Sequence, residues 1–582
     1  MPAETTGEEI QKIARTLALP ESIVRIIALR GISTLEHIRN FMAPSLSQLP
    51  HPFLMKGMSE AVVILQEAIH SQKPVTVFGD FDADGVTSTA LLTLFFTELG
   101  LPFMIYIPDR LSEGYGLNSS AIKKIHADNM QKWGEAGILL TVDCGISDAV
   151  VVNEARSLGF KVIITDHHKP PEKLPEADAT LNPLQTGCNF PCKNLAGVGV
   201  AFYLVMGLRS ALVENNHWPQ RNIPNLKIYM DLAAIGTVAD QVPVTGCNRI
   251  IVKAGLEVLN RSGRIGLQKL LETTKTGNAM EVTVEDIVYR IAPRINAAGR
   301  IGSAHKAVNL ITTNLSAEAQ QFAEELEKAN NDRKNIEAVI YKEATQMASA
   351  ENIESANSLV LYKKDWHQGV LGIVASRLSD RFYRPVVLLT DCPQKDKSEN
   401  QGLVKGSGRS IEGIDIHEAV SFCQGMLLRF GGHAGAVGLT LSAENIEPFR
   451  QQIDMVIGAQ KEKYSTAPSL LTDMEITLDA LHDDAFLYAY STLSPFGSGN
   501  PEPVFVMTRQ RLTNPRLVGN NHLRFTLIKN NRTMNGIGFG FGNLADILQN
   551  TLMDLAVTLR FNSYMGQQKW ELNLVDLHPS LP

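Results

Sequence analysis

Cysteine is scarce in this chain, with six residues in 582. That is too few for a disulfide framework at this length. Cys188 and Cys192 form one CxxxC pair, but no second pair or nearby histidine supplies the four ligands of a structural zinc site. No hydrophobic run approaches the roughly 18 apolar residues of a membrane span, so no membrane partner is expected. The opening stretch MPAETTGEEIQKIARTLALP lacks a basic segment followed by an apolar one and does not read as a secretory signal. The expected setting is the reducing cytoplasm. Basic excess is missing too. The net charge of −7 counts weakly against a nucleic-acid partner, unless divalent ions held by the acids reverse the local sign. No GxSxG or activated-cysteine pattern suggests a covalent intermediate. Internal repeats and low-complexity tracts are absent.

What is present is acid at strand ends. The run VFGDFDADGVTST sets Asp80, Asp82 and Asp84 at alternate positions, closed by Gly85. Val75–Phe78 reads as a buried strand and Thr87–Leu99 as an apolar helix. The turn between them lies at the carboxyl end of a strand, where open α/β sheets bind ligands. Crowded carboxylates repel unless cations hold them, and hard oxygen donors suit magnesium or manganese. A second strand end, ILLTVDCGIS, presents Asp143. A third, KVIITDHHKP, presents Asp166, His167 and His168. Asp240 follows the helical stretch Leu226–Val238 in IGTVADQVP. Parallel strands put such loops on one edge of a sheet. Oxygens of Asp82, Asp84, Asp143 and Asp240, with a nitrogen of His167, are thereby predicted to hold two divalent ions. Two ions about 3.5–4 Å apart activate water and stabilise both oxygens of a phosphoryl displacement.

The length suggests about three to five domains. Strand candidates Val75–Phe78, Phe103–Ile107, Ile138–Val142 and Val162–Thr165 alternate with helical stretches at Thr87–Leu99, Ser119–His126 and Asp148–Leu158. That alternation predicts an α/β domain with a parallel sheet over 51–315, with residues 1–50 as a helical extension packed on it. Ser316 is a suitable N-cap, and Phe322, Leu326, Ala329, Ile336 and Ile340 follow at helical spacing. One long helix, 316–350, is expected to connect to a second α/β domain over 351–462. After the polar linker KEKYSTAPS, short alternating runs over 463–582 predict a small β-barrel.

The set Asp80-x-Asp82-x-Asp84-Gly85, Asp143, Asp166-His167-His168 and Asp240 resembles the DHH phosphoesterase superfamily, and within it the single-strand-specific DNA exonucleases. The resemblance continues through PDRLSEGYGLN, LAGVGVAF and APRINAAGRIGSA. WHQGVLGIVASR, GSGRS and GGHAGAVG resemble the accompanying DHHA1 domain, and PFGSGNPEPVF resembles the lead-in to an OB-fold. It covers nearly the whole chain. It implies a 5′→3′ exonuclease that hydrolyses single-stranded DNA to mononucleotides in recombination and repair, using water activated by two divalent ions, manganese or magnesium. A helicase and a single-strand-binding protein are the partners implied. The alternatives are a phosphodiesterase on short oligoribonucleotides or cyclic dinucleotides, and a non-catalytic single-strand-binding relative. An intact acidic set argues against the second, and the third domain against the first.

By the same resemblance Asp82, Asp84, Asp143, His167 and Asp240 are the ligands, with Asp143 bridging. Asp80 is either a ligand or a partner that orients one, and Asp166 is expected to orient His167. His168 contacts the scissile phosphate or positions the nucleophile. On the loop GSGRS, Ser407 and Arg409 offer a hydroxyl, a planar cation and backbone N–H groups, which suit a terminal phosphate. The resemblance makes that the 5′ phosphate and so sets polarity. Arg294, Asn296 and Arg300 are expected to assist, with Arg110, Ser376, Arg377 and His433. In the barrel, Phe525, Tyr564 and Trp570, with Arg516, Arg524 and Lys529, are candidates for stacking and backbone contact.

Overall fold

The computed structural model describes residues 6–110, 112–218, 223–274, 281–350, 356–392, 402–461, 469–546, 548, 551–564 and 567–580. Most of the polar linker and the side chain of Tyr564 lie outside the described residues. The chain opens with three helices, α1 (Gly7–Leu17), α2 (Glu21–Leu29) and α3 (Leu35–Met42). After α4 (Met58–Ser71) it alternates through β1 (Val75–Gly79), α5 (Ala83–Leu99), β2 (Phe103–Tyr106), α6 (Ser119–Trp133), β3 (Ile138–Val142), α7 (Ala149–Ser157), β4 (Lys161–Thr165) and β5 (Ala179–Leu181). The five strands form one parallel sheet in the order β2-β1-β3-β4-β5. Both faces are covered, so β1 and β3 are buried at every position, as their continuous apolar runs require.

α8 (Gly197–Glu214) and α9 (Met230–Ala239) pack against α5. By length and composition α8 is apolar enough to cross a membrane, contrary to the expectation from hydrophobic runs. Two-thirds of it is buried in the domain core. Cys192 is disulfide-bonded to Cys247 rather than partnered with Cys188, so the CxxxC spacing forms no metal pair. Further helices, α10 (Gly246–Ser262), α11 (Ile265–Thr273), α12 (Val284–Asp286), α13 (Ala292–Ile301) and α14 (His305–Thr312), complete the domain. The connecting helix α15 (Ser316–Ala350) follows.

The second domain holds β6 (Leu359–Tyr362), α16 (Gln368–Phe382), β7 (Val386–Asp391), β8 (Leu403–Arg409), α17 (Ile416–Phe422), β9 (Leu427–His433), β10 (Ala436–Ser442) and α18 (Ile446–Lys461). Its sheet runs β6-β7-β8-β10-β9. The last domain contains β11 (Met474–Glu475), α19 (Asp484–Thr492), β12 (Phe505–Val518), β13 (His522–Lys529), β14 (Arg532–Phe539), β15 (Leu552–Tyr564) and β16 (Gln567–Pro579). Pairing of β12 with β15 closes five of these strands into a barrel.

The opening helices pack differently from the expectation. Ile23, Val24, Ile26 and Ile27 share one buried core with Leu478, Phe486, Phe505 and Leu555 of the last domain. Arg249 of α10 joins this unit to the first domain. Its guanidinium lies 3.9 Å from the centre of the Phe41 ring and donates to the carbonyls of Phe41, Thr492, Leu493, Ser494 and Pro495. Burial, with the nearby Arg30, pushes its pKa down to about 10.

Candidate active site

Sheet register places the acids. Gly79 pairs with Val142, and Val142 with Thr165. Asp80, Asp143 and Asp166 are therefore the first residues past three adjacent parallel strands, spaced by the roughly 4.8 Å between neighbours. Asp82 caps α5, accepting from the N–H groups of Asp84 and Gly85 at 2.9 and 3.1 Å. That cap starts the helix at Ala83 rather than at the expected Thr87. Asp84 reaches the α8 N-terminus, where its two oxygens accept from Gly197 N–H at 2.6 Å and Val198 N–H at 2.8 Å. Asp240 follows the last turn of α9.

His167 sits among these carboxylates. Its Nε2 is 3.1 Å from Asp143 Oδ1, 3.6 Å from Asp240 Oδ2 and 3.9 Å from Asp84 Oδ2. Burial, together with neighbouring His168, pushes its pKa down to about 4, so the imidazole is neutral. Burial and mutual repulsion raise the carboxyls of Asp80, Asp84 and Asp143 well above their ordinary range, and that of Asp240 to about 7. Asp143 holds a left-handed backbone, φ 61°, a conformation uncommon outside glycine. Asp80 Oδ1, Asp143 Oδ1 and His167 Nε2 are buried without a hydrogen-bond partner. Crowded carboxylates with orphaned oxygens beside a neutral imidazole fit a hard divalent cation. Ligand atoms of Asp80, Asp82 and Asp143 lie within 4.8 Å of one another, as do those of Asp84, His167 and Asp240, and those of Asp143, His167 and His168.

Asp166 holds a different histidine from the one expected. Its Oδ1 accepts from His168 Nδ1 at 2.7 Å and from the backbone N–H of both histidines, while Oδ2 accepts from Ile146 N–H. Against the opposing effect of burial, this pairing lifts His168 to about 9 and lowers Asp166. Tyr115, in the PDRLSEGYGLN run but not named as a site residue, donates to the carbonyl of Asp143 at 3.1 Å and stands 3.3 Å from His168 Nδ1. Gly197 and Gly236, within the quoted runs LAGVGVAF and IGTVADQVP, were also given no role. A Cβ at Gly197 would lie 2.7 Å from that of Asp143, and one at Gly236 would lie 2.8 Å from Asp84 Oδ1.

Cations gather across from the acids. The guanidinium of Arg110 lies over the Phe81 ring and interacts with Asp80 and Asp82. Arg300 donates to the carbonyl of Gly369 at 2.8 Å. Burial first, then repulsion from Arg110, Arg333 and Arg409, pushes its pKa down to about 9. Arg409, lowered by burial and by Arg110, donates to Ser407 Oγ at 3.2 Å. Residues from three separate segments thus meet. Ser376 stands one turn after Gly372 on α16, the helix backing Ser407 and Arg409. His433 is exposed at the end of the edge strand β9.

Other expected phosphate contacts are engaged elsewhere. Arg294 is buried, bonded to Glu327 at 2.5 Å and to the carbonyls of Tyr289 and Arg290. Asn296 accepts from Ala83 N–H at 2.8 Å and so fixes the start of α5. Arg377 pairs with Glu337 at 2.7 Å and lies over Tyr341. In the barrel Phe525 is core, with a relative exposure of 1%. Trp570 packs between Tyr490 and Phe561, and Arg524 pairs with Glu571. Arg516 and Lys529 are exposed, as are Phe539 and Phe561. Beside Arg300 a cavity of about 530 Å³, lined by Val238, Val242, Asn296 and Arg333, runs to Gly497 and Ser498 of the barrel lead-in.

Residues 74–237 match the DHH family N-terminal domain, 355–459 the DHHA1 domain and 472–576 the RecJ OB domain. The single-stranded-DNA-specific exonuclease RecJ of Escherichia coli (strain K12) is 36% identical over 586 residues, 96% of each chain. The chain belongs to the RecJ family. The Bacillus subtilis (strain 168) RecJ is 34% identical over 577 residues, 98% of this chain and 69% of that one. The crystal structure of RecJ with Mn2+ from Thermus thermophilus matches with a TM-score of 0.79 and 29% identity, covering 99% of this chain and 78% of that one. The same RecJ has been solved with Mg2+. The expected sequence of parallel-sheet domain, long helix, second α/β domain and barrel is the RecJ arrangement.

Proposed function

We propose that this RecJ-family chain is a metal-dependent exonuclease that hydrolyses single-stranded DNA from the 5′ end to mononucleotides, in recombination and repair. One observation carries the reading. The carboxylates of Asp80, Asp82, Asp84, Asp143 and Asp240, with neutral His167, stand opposite the half-buried cations Arg110, Arg300 and Arg409. The first group suits cations and the second an anion, and a phosphodiester at a chain end needs both. Relatives named as single-stranded-DNA-specific exonucleases, one of them solved with Mn2+ and Mg2+, support it.

In this reading Asp82, Asp84, Asp143, Asp240 and His167 would hold two divalent ions. Asp80 either joins them or orients a ligand. Such ions supply Lewis acidity and an activated water for in-line displacement at phosphorus. The chain's own groups do the rest. His168, cationic with a pKa of about 9, offsets charge on the scissile phosphate while Asp166 fixes its ring. Arg409 and Ser407 stand on strand β8, paired on both sides, and not on the expected loop, so it is the guanidinium and the hydroxyl, not the backbone N–H groups, that hold the terminal 5′ phosphate. Arg110 and Arg300 neutralise the segment between the two phosphates. The 3′ oxygen of the terminal nucleotide leaves. The cavity between the domains takes one strand, and the barrel carries the strand onward. Work in the cytoplasm, beside a helicase and a single-strand-binding protein, belongs to the same reading.

The deciding assay incubates the protein and Mn2+ with labelled long single strands, duplexes, dinucleotides and pyrophosphate. Mononucleotide release from the long single strands alone is expected, with loss in Asp82→Ala and Asp143→Ala. Undiminished activity in those two variants would sink the assignment. Arg409→Ala is expected to erase the preference for a 5′-phosphorylated end.

A further inference from the structure

Cys192 and Cys247 form the one disulfide among the described residues, and the other four cysteines are free. Their Cα atoms are 6.1 Å apart, within the range that a disulfide spans without backbone movement. The two ends differ. Cys247 is buried in the first turn of α10. Cys192 is half-buried in the loop ahead of α8, with Pro191, Lys193 and Asn194 exposed around it. Cys192 is therefore the end that a small reactant meets.

The α10 end is an anchor. Arg249 donates to five carbonyls, and Val244 N–H donates to the Ser498 carbonyl at 2.7 Å. Asn248 donates to the carbonyls of Asn194 at 2.6 Å and Pro243 at 2.9 Å, so the two segments stay adjacent when the sulfurs part. The Cys192 end leads straight into the carboxylate site. The Leu195 carbonyl accepts a hydrogen bond from His167, while His167 Nε2 has no hydrogen-bond partner. That carbonyl fixes the tautomer and leaves a bare Nε2 facing the acids. Gly197 and Val198 donate to Asp84, and a Cβ at Gly197 would lie 2.7 Å from that of Asp143. One short stretch thus supports Asp84, Asp143 and His167, and the disulfide ties that stretch to a fixed helix.

We propose that Cys192 and Cys247 are a reversible redox site that tightens Mn2+ binding when oxidised. This goes beyond strand hydrolysis but rests on the reading that Asp84, Asp143 and His167 hold Mn2+. Without the bond, the exposed loop samples positions in which Leu195 and Gly197 release their partners; the cross-link removes those positions. The oxidant is a peroxide. The Cys192 thiolate attacks one peroxide oxygen, the O–O bond breaks, and hydroxide leaves with the electron pair. The Cys247 thiolate then attacks the sulfenic sulfur of Cys192, the S–O bond breaks, and hydroxide leaves again. The two hydroxides take up the two thiol protons. Two thiols and one hydrogen peroxide thus give one disulfide and two waters, with two electrons passing from sulfur to oxygen. Reversal is exchange with two molecules of a small thiol, attacking first at Cys192, which returns both cysteines and yields the small disulfide.

The test prepares the wild-type protein in excess reduced glutathione and, separately, after hydrogen peroxide, with both reagents then removed in the absence of air. Thiols counted in denaturant should number six in the first state and four in the second. Calorimetry with Mn2+ alone should find affinity about tenfold weaker in the reduced state, the low end for disturbing what supports a ligand. Tm in chelator should be about 5 °C lower on reduction, with the fold retained. At saturating Mn2+ kcat should match in the two states, which confines the change to the demand for metal. Cys192→Ser and Cys247→Ser should bind Mn2+ like the reduced wild type after either treatment, while Cys188→Ser keeps the full response. Four thiols after both treatments overturn the proposal, because the bond is then permanent; six after both overturn it, because the bond never forms. Equal Mn2+ affinity in the two wild-type states overturns it as well, and that comparison needs no variant to fold. Asp143→Ala separates the two readings. If it abolishes Mn2+ binding while oxidation changes nothing, only the redox site fails; if it binds Mn2+ like wild type, both fail.

Discussion

Asp166 Oδ1 accepts the Nδ1 hydrogen of His168 at 2.7 Å, which leaves His167 to the other carboxylates. The two adjacent histidines consequently carry opposite charge states, one neutral near 4 and one cationic near 9. Asp166→Asn removes the partner that holds His168 charged. It is expected to lower kcat about a hundredfold, in the range for a positioned proton-bearing group. Calorimetry should find Mn2+ affinity within a few-fold of wild type. Loss of Mn2+ binding equal to that of Asp143→Ala would instead make Asp166 part of the ligand set.

Chelated protein should become less stable as pH rises. Folding raises the pKa of Asp80, Asp84, Asp143 and Asp240, with Asp240 at about 7. A raised carboxyl pKa favours the folded state when protonated. Its contribution is therefore complete below the unfolded value of about 3.9 and is lost as pH rises through the folded value. Thermal unfolding in chelator should show Tm falling from roughly pH 4 upward to about pH 7, the folded value of Asp240, with Mn2+ cancelling the fall. Asp143→Asn should raise the chelated Tm by about 3 °C and abolish the response to Mn2+.

Gly197→Ala adds a Cβ 2.7 Å from Asp143 Cβ and 2.8 Å from its Oδ1. Asp143 must move, and Mn2+ affinity is expected to weaken about 10–100-fold, the range for disturbing a ligand's support. Gly199→Ala, whose Cβ meets Leu195 at 3.3 Å, should leave affinity unchanged. Equal Mn2+ titrations for the two variants would refute the close approach as the cause.

Arg249→Met leaves five carbonyls without their shared donor. Loss of about 3 kcal/mol is expected from unmet buried acceptors, read as a lower midpoint in urea. Limited proteolysis should then cut between α2 and α3 earlier than in wild type. An unchanged midpoint would show that the carbonyls find water at no cost.

The strand-end acids were legible because each follows an apolar run that can only be a buried parallel strand. Asp80, Asp143 and Asp166 then fall side by side through register alone. The donors that hold Asp84 were not legible, since the N–H groups of Gly197 and Val198 carry no side-chain signature. Arg294 read as a phosphate contact because an arginine beside small residues looks the same whether its carboxylate is a substrate's or Glu327's. The alternation of Leu523, Phe525 and Leu527 already marked Phe525 as core. Packing of α2 against the barrel joins segments some 450 residues apart, and no local pattern records it.

That shared core has a consequence for biosynthesis. Ile23, Val24, Ile26 and Ile27 emerge early, but the apolar residues that cover them, from Leu478 to Leu555, are made last. At about 5–20 residues per second, the leading helices wait tens of seconds for their partner surface. Truncating the chain ahead of the barrel is therefore no clean excision, because it leaves the first forty residues with a greasy face and nothing to fold against.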